Sequence, residues 1–160
     1  MDTFIRKEND WESILKDKYV LLDANSIIYI DEAKAYDFLD FMETTLGVTL
    51  CYITPVYLEL HNTNNKADLI SRKQILTRFE LLVITPEDHN KTANLQNELA
   101  IYDCRPQIVD LYLGAVLKRL QPNLYLLTSN VKDFPEPIYT RESGIIIQRQ
   151  TTSRVLSIVK

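Results

Sequence analysis

Two kinds of segment alternate along the chain: short continuous apolar runs, and longer stretches whose apolar positions recur at helical spacing. Tyr19-Val20-Leu21-Leu22 is of the first kind, the pattern of a strand buried on both faces in a parallel sheet, and it stops abruptly at Asp23. Ala33 to Leu46 is of the second kind. Ala35, Phe38, Leu39, Met42 and Leu46 share one helical face, and Gly47 supplies the stop. Thr49 to Ile53 reads as a second strand, after which Pro55 stands where a helix can begin without losing a needed N–H, leading into Val56-Tyr57-Leu58-Glu59-Leu60. A helix over Ala67 to Glu80 follows, with Leu69, Ile70, Ile75, Leu76 and Phe79 as core residues, then a strand over Leu81 to Ile84. Pro86 opens a polar helix to Tyr102, and Pro106 an apolar one to Leu120. Leu124 to Thr128 and Gly144 to Ile147 read as the last strands, and at the front Asp10 caps a short helix with Trp11, Ile14 and Leu15 on one face.

Strands alternating with helices predict an α/β fold with helices on both faces of a mostly parallel central sheet of four to five strands. In such folds ligands bind at the carboxyl ends of the strands. The chain, 160 residues long, is the size of one domain and shows no repeat or linker. The expected division is an N-terminal extension over residues 1–18, the domain over 19–150 and a C-terminal tail over 151–160.

Composition narrows the class. Apolar residues at 46% and charged residues at 25% exclude disordered and collagen-like chains. Cys51 and Cys104 are the only cysteines and no Cys/His cluster exists, so no disulfide framework or zinc site is expected. No apolar run approaches the roughly 20 residues that cross a bilayer, and residues 1–18 are too polar for a signal peptide, so a cytoplasmic protein without membrane contact is expected. With 3 Gly there is no glycine-rich phosphate loop. The net charge of -4 disfavours holding nucleic acid by bulk charge, although Ala115 to Lys160 carries 7 Lys/Arg against 3 Asp/Glu.

Four acids stand where an acid is costly or aimed at the predicted crevice. Asp23 closes the first strand, where it can also cap the following helix. Glu59 lies in the helix that starts at the same sheet edge. Asp110 is the strongest signal, because every residue from Ile108 to Leu117 other than Asp110 and Gly114 is apolar. A buried carboxylate there costs several kcal/mol unless it is protonated, paired with a buried Arg or Lys, or bound to a metal. Asp133 follows the fourth strand in a polar loop anchored by Phe134. Each belongs to a segment that begins or ends at the carboxyl edge of the sheet. Carboxylates converging there form an oxygen-rich site suited to Mg²⁺ or Mn²⁺, the setting of phosphoryl-transfer and nuclease chemistry. His61, two residues past Glu59, is read as a surface histidine.

These segments resemble the PIN domain, metal-dependent ribonucleases that include the VapC-type toxins of toxin–antitoxin systems. The matching stretches are Leu21-Leu22-Asp23-Ala24-Asn25, Thr54-Pro55-Val56-Tyr57-Leu58-Glu59-Leu60, Ile108-Val109-Asp110-Leu111 and Leu126-Leu127-Thr128-Ser129-Asn130-Val131-Lys132-Asp133-Phe134. The last is the most specific, and the resemblance spans Tyr19 to Ile147. Ala24 departs from it, standing where many members have Thr. The resemblance implies a three-layer α/β/α PIN-like fold, with Asp23, Glu59, Asp110 and Asp133 around Mg²⁺ or Mn²⁺ and Asn25, Thr128 and Asn130 as polar support. It implies hydrolysis of RNA to 5′-phosphate and 3′-hydroxyl ends, a protein antitoxin as partner, and a homodimer. Lys118, Arg119, Lys132 and Arg141, from the basic back portion, are the candidates for phosphate contact. A housekeeping RNA-processing nuclease, or a PIN-like module that binds RNA or protein without cutting, are the alternatives. Removing the four site acids from 22 leaves 18, equal to the 18 Lys and Arg, so the excess negative charge equals the expected site.

Overall fold

The computed structural model describes residues 4–5 and 11–160. Among them lie seven strands in one sheet: β1 (Phe4–Ile5), β2 (Tyr19–Leu22), β3 (Thr49–Tyr52), β4 (Glu80–Leu81), β5 (Leu124–Thr128), β6 (Arg141–Gln148) and β7 (Ser153–Val159). The α-helices are α1 (Trp11–Leu15), α2 (Ala24–Ala33), α3 (Tyr36–Asp40), α4 (Thr54–Leu60), α5 (Lys66–Leu76), α6 (Pro86–Ile101) and α7 (Ile108–Leu120). Across the sheet the order is β1-β6-β7-β5-β2-β3-β4. β5, β2, β3 and β4 run parallel, with β2 central between Leu124–Leu127 and Thr49–Cys51. β7, β6 and β1 extend the sheet antiparallel.

The parallel block matches the expected doubly covered strands: Val20, Leu21, Leu22, Leu50, Leu126 and Leu127 are buried. Seven strands replace the expected four to five, and the additions are β1 near the start and β7 at the end. Residues 151–160, expected as a tail, contain β7, whose Leu156, Ser157, Ile158 and Val159 are buried between β5 and β6. Its polar start, Thr151-Thr152-Ser153-Arg154, and the break of its apolar run by Ser157 hide it, because burial on both sides comes from neighbours distant in the chain. Residues 1–18 are likewise no mere appendage where described. Trp11 and Leu15 are buried, and Trp11 packs against Phe38 and Phe41 at ring centroids of 6.5 and 6.0 Å. Asp10, expected as the cap of α1, lies outside the described residues.

The helix expected over Ala33–Leu46 is two elements. α2 ends at Lys34, whose left-handed φ of 55° caps it, and α3 then runs into a wide π-helical turn over Phe41–Thr45. The expected face is nonetheless buried, since Ala35, Phe38, Leu39, Met42 and Leu46 all reach the core. Gly47 takes φ 66°, and a Cβ there would meet Asp17 Oδ1 at 2.6 Å. α5 ends earlier than expected, with Ile70 exposed and Arg72 buried in its place, donating from Nη1 to the Leu60 carbonyl at 3.1 Å. α7 packs its Gly114 under Tyr139, where a Cβ would fall 2.1 Å from the phenolic oxygen. No helix among the described residues is long and apolar enough to cross a membrane.

Candidate functional site

Parallel strands bring their carboxyl ends to one edge, and the residues that leave β2, β3 and β5 therefore meet there. Asp23 is the N-cap of α2, its Oδ1 accepting the Ser26 N–H at 2.7 Å. Its other oxygen, Oδ2, accepts the buried Thr128 hydroxyl at 2.5 Å, so β2 and β5 are stitched together at this carboxylate. Thr128 Oγ1 in turn accepts the Asn130 N–H at 3.0 Å, and the Asn130 side-chain amide donates to Asp133 Oδ2. Thr128, Asn130 and Asp133 are thus one relay of bonds behind and beside Asp23. Val131–Asp133 form a single 3-10 turn, whose end is anchored by buried Phe134.

Asp110 enters from the first turn of α7, whose N-cap Gln107 makes no side-chain cap bond; the Asp110 carboxylate accepts the Gln107 backbone N–H instead. Glu59 comes from α4. Asp23, Asn25, Glu59, Asp110, Asn130, Lys132 and Asp133 all line one cleft of about 300 Å³, together with Ala24, Arg105, Pro106 and Gln107.

The electrostatics follow from crowding four acids into this space. Burial, then the charges of Asp133, Asp23 and Glu59, push the Asp110 carboxyl up to about 7. Burial and the charge of Asp23 raise Glu59. Burial also raises Asp23, against hydrogen bonds from Ser26, Thr128 and the Ser129 backbone that favour its ionised form. Among the described residues none of the four forms an ion pair, so the pairing of Asp110 with a buried Arg or Lys, one way to keep it charged, is not what the fold uses. The side chains that could hold a cation are these four. Among the described residues, however, no three His, Cys, Asp or Glu side chains are gathered closely enough to ligate one ion together.

Of the basic residues expected to contact phosphate, only Lys132 lines the cleft. Lys118 and Arg119 sit eight and nine residues beyond Asp110 in the same helix, which carries them about 12 Å along its axis. Lys118 Nζ donates to the Ile138 carbonyl at 2.5 Å and lies over the Tyr139 ring. Arg119 pairs with buried Asp88 at 2.8 Å and donates to the Val83 carbonyl. Arg141 begins β6, opposite Val159. These three are therefore set aside as cleft contacts. His61 stacks on Tyr57 at 3.9 Å and lies outside the cleft lining, but it is half-buried with Nε2 buried, where a surface histidine was expected. Arg105 and Gln107 were not anticipated. The signal for them was Pro106, which marks the start of α7 and hence a loop at the same edge as Asp110.

The fold and cleft together define a class: an α/β chain whose parallel strands bring four acids to one edge of the sheet. Comparison with solved structures shows that chains of VapBC complexes share this fold. A chain of VapBC2 from Rickettsia felis, solved bound to a DNA fragment from its promoter, superposes with a TM-score of 0.59 at 21% identity, over 72% of this chain and 90% of that one. A chain of VapBC-1 from nontypeable Haemophilus influenzae gives 0.58 at 23% identity over 72% and 90%. DNA-bound VapBC from Salmonella typhimurium gives 0.60 at 18% identity over 73% and 90%. No protein-family model and no curated protein sequence matches the chain.

Proposed function

We propose that this protein is a divalent-metal-dependent RNA endonuclease and the toxin of a toxin–antitoxin pair. The observation that carries the proposal is the cleft itself, in which four acids from four separate segments share one space and, among the described residues, none is held in an ion pair. Such a donor set suits a hard cation. Mg²⁺ is commonly held by one or two carboxylates while keeping several waters, so the lack of a preassembled three-ligand cage is compatible with it. Asp23, Glu59, Asp110 and Asp133 would hold Mg²⁺ or Mn²⁺ directly or through water. When bound, such an ion polarises a phosphate oxygen and makes its bound water a better nucleophile.

The chain's own groups supply the rest. Ser26 and Thr128 fix both oxygens of Asp23, and Asn130 fixes Asp133, so two carboxylates are oriented before any ligand arrives. Asn25 and Gln107 offer further polar contacts on the wall. Hydrolysis would add the oxygen of water to phosphorus and break the bond to the 3′ oxygen, which takes a proton and leaves as the hydroxyl. The VapBC neighbours agree with a protein antitoxin as partner, and a homodimer belongs to the same proposal.

The experiment is Asp110→Asn in a purified RNA cleavage assay with Mg²⁺ or Mn²⁺. Cleavage is expected to vanish while the circular dichroism spectrum stays that of the parent; a variant cutting at the parental rate would refute the assignment. The loosely gathered acids are the one observation favouring a module that binds without cutting. Calorimetric titration separates the two, since the nuclease is expected to bind millimolar Mg²⁺ or Mn²⁺ and the module is not.

A further inference from the structure

Besides its acids, the cleft is lined by two cations, Arg105 and Lys132, and the former lies outside the basic back portion of the chain. Resting on the nuclease reading above, we infer that Arg105 is a substrate-binding residue that grips a backbone phosphate of the RNA at the lip of the cleft, with Lys132 as the second contact.

Three observations carry this. First, Arg105 is exposed and forms no ion pair among the described residues, although four carboxylates line the same cleft. Elsewhere Arg78 pairs with Asp40 and Glu43, Arg119 with Asp88, and Arg149 with Glu32, whereas Arg105, with four carboxylates lining its own cleft, pairs with none of them. Second, the loop that carries Arg105 is held in place. Pro106 confines the preceding residue to extended backbone, Cys104 N–H donates to the Leu99 carbonyl at 3.0 Å, and Cys104 Sγ donates to the Lys132 carbonyl at 3.6 Å. That last contact ties the Arg105 loop to the turn bearing Lys132, so the two cations are positioned relative to each other.

Third, the chemistry of the cleft favours a cation there. A phosphodiester carries a negative charge into a cleft lined by four acids, and a cation at the lip offsets the repulsion that burial intensifies. The planar guanidinium donates two parallel bonds to a phosphate's oxygens, which a lysine ammonium cannot match in geometry. No comparable role fits Lys118, Arg119 or Arg141, none of which lines the cleft.

The test uses the full chain with a short labelled single-stranded RNA, comparing the parent, Arg105→Ala, Arg105→Lys and, as a cation away from the cleft, Arg141→Ala. Arg105→Ala is expected to raise KM about tenfold or more while kcat changes less. By fluorescence anisotropy in the Asp110→Asn background, it should lower the slope of log affinity against log salt by about 0.7, the value of one phosphate contact on a single strand. Arg105→Lys should restore the slope and only part of the affinity, and Arg141→Ala should match the parent. Parental KM and parental slope in Arg105→Ala, with the parent cutting RNA normally, would overturn the inference alone. A parent that binds RNA without cutting would overturn the nuclease reading, and the salt slope would still decide the role of Arg105. A parent that neither cuts nor binds RNA would overturn both.

Discussion

Asp110 should make the metal-free protein less stable at pH 8 than at pH 5, and its replacement by Asn should remove most of that difference. Its carboxyl is pushed up to about 7 in the folded chain, against an ordinary 3.8, by burial and by Asp133, Asp23 and Glu59. The folded state therefore binds this proton more tightly than the unfolded state does. Above pH 7 both states are ionised and the folded one carries the full penalty of the buried charge. As pH falls from 7 towards 3.8 the folded chain takes up the proton first and the penalty shrinks; below 3.8 both states are protonated and it is gone.

Unscreened, the interval between about 7 and 3.8 would be worth about 4 kcal/mol. Water reaches part of the carboxyl at the cleft, so about 1–2 kcal/mol is the expected destabilisation at pH 8. Asp23 and Glu59, raised by burial, add to it with the same sign. Urea unfolding in chelator at pH 5 and pH 8 measures the effect. Asp110→Asn should move the pH 8 midpoint up and the pH 5 midpoint little, and millimolar Mg²⁺ should stabilise the parent at pH 8 far more than the variant. Equal shifts from Asp110→Asn at both pH values would refute the electrostatic account, because a packing change has no reason to follow the proton.

Thr128→Val should destabilise the protein by about 1–3 kcal/mol in urea unfolding, since it strips the buried Asp23 carboxylate of its 2.5 Å hydroxyl donor, and it should slow RNA cleavage by loosening Asp23 and Asn130 together. Gly114→Ala should lower the thermal midpoint through about 1–3 kcal/mol of overpacking against the Tyr139 oxygen 2.1 Å away. Tyr139→Phe, which removes a buried hydroxyl with no hydrogen-bond partner among the described residues, should be tolerated alone and should recover part of the loss in the double variant; an additive loss would count against the clash. Arg119→Ala should cost about 3 kcal/mol by stranding buried Asp88, while leaving the salt slope of RNA binding unchanged, and a reduced slope would restore Arg119 as a phosphate contact.

Much of the architecture was legible in local pattern. The apolar runs at Tyr19–Leu22 and Leu124–Thr128 are strands because burial of Val20–Leu22, Leu126 and Leu127 on both faces calls for consecutive apolar residues, and that signature needs no knowledge of the partner strand. Asp110 stood out for the same reason: a charge inside an apolar helix face is anomalous wherever the helix packs. The single helix expected at Ala33–Leu46 missed the break at Lys34, because a left-handed cap on a non-glycine residue leaves no mark in hydrophobic spacing.

What the sequence determined, then, was the set of strands that are buried on both faces and the acids that belong to their carboxyl ends, because both are properties of short segments. Only the tertiary structure decided which charges share a space. Lys118 and Arg119 looked like neighbours of the site by belonging to a basic stretch, yet helical rise carries them away from Asp110, while Arg105 lines the cleft together with residues far from it in the chain. β7 is the same lesson in the sheet: a short apolar stretch interrupted by Ser157 became an inner strand because β5 and β6 flank it, and no local pattern encodes a neighbour.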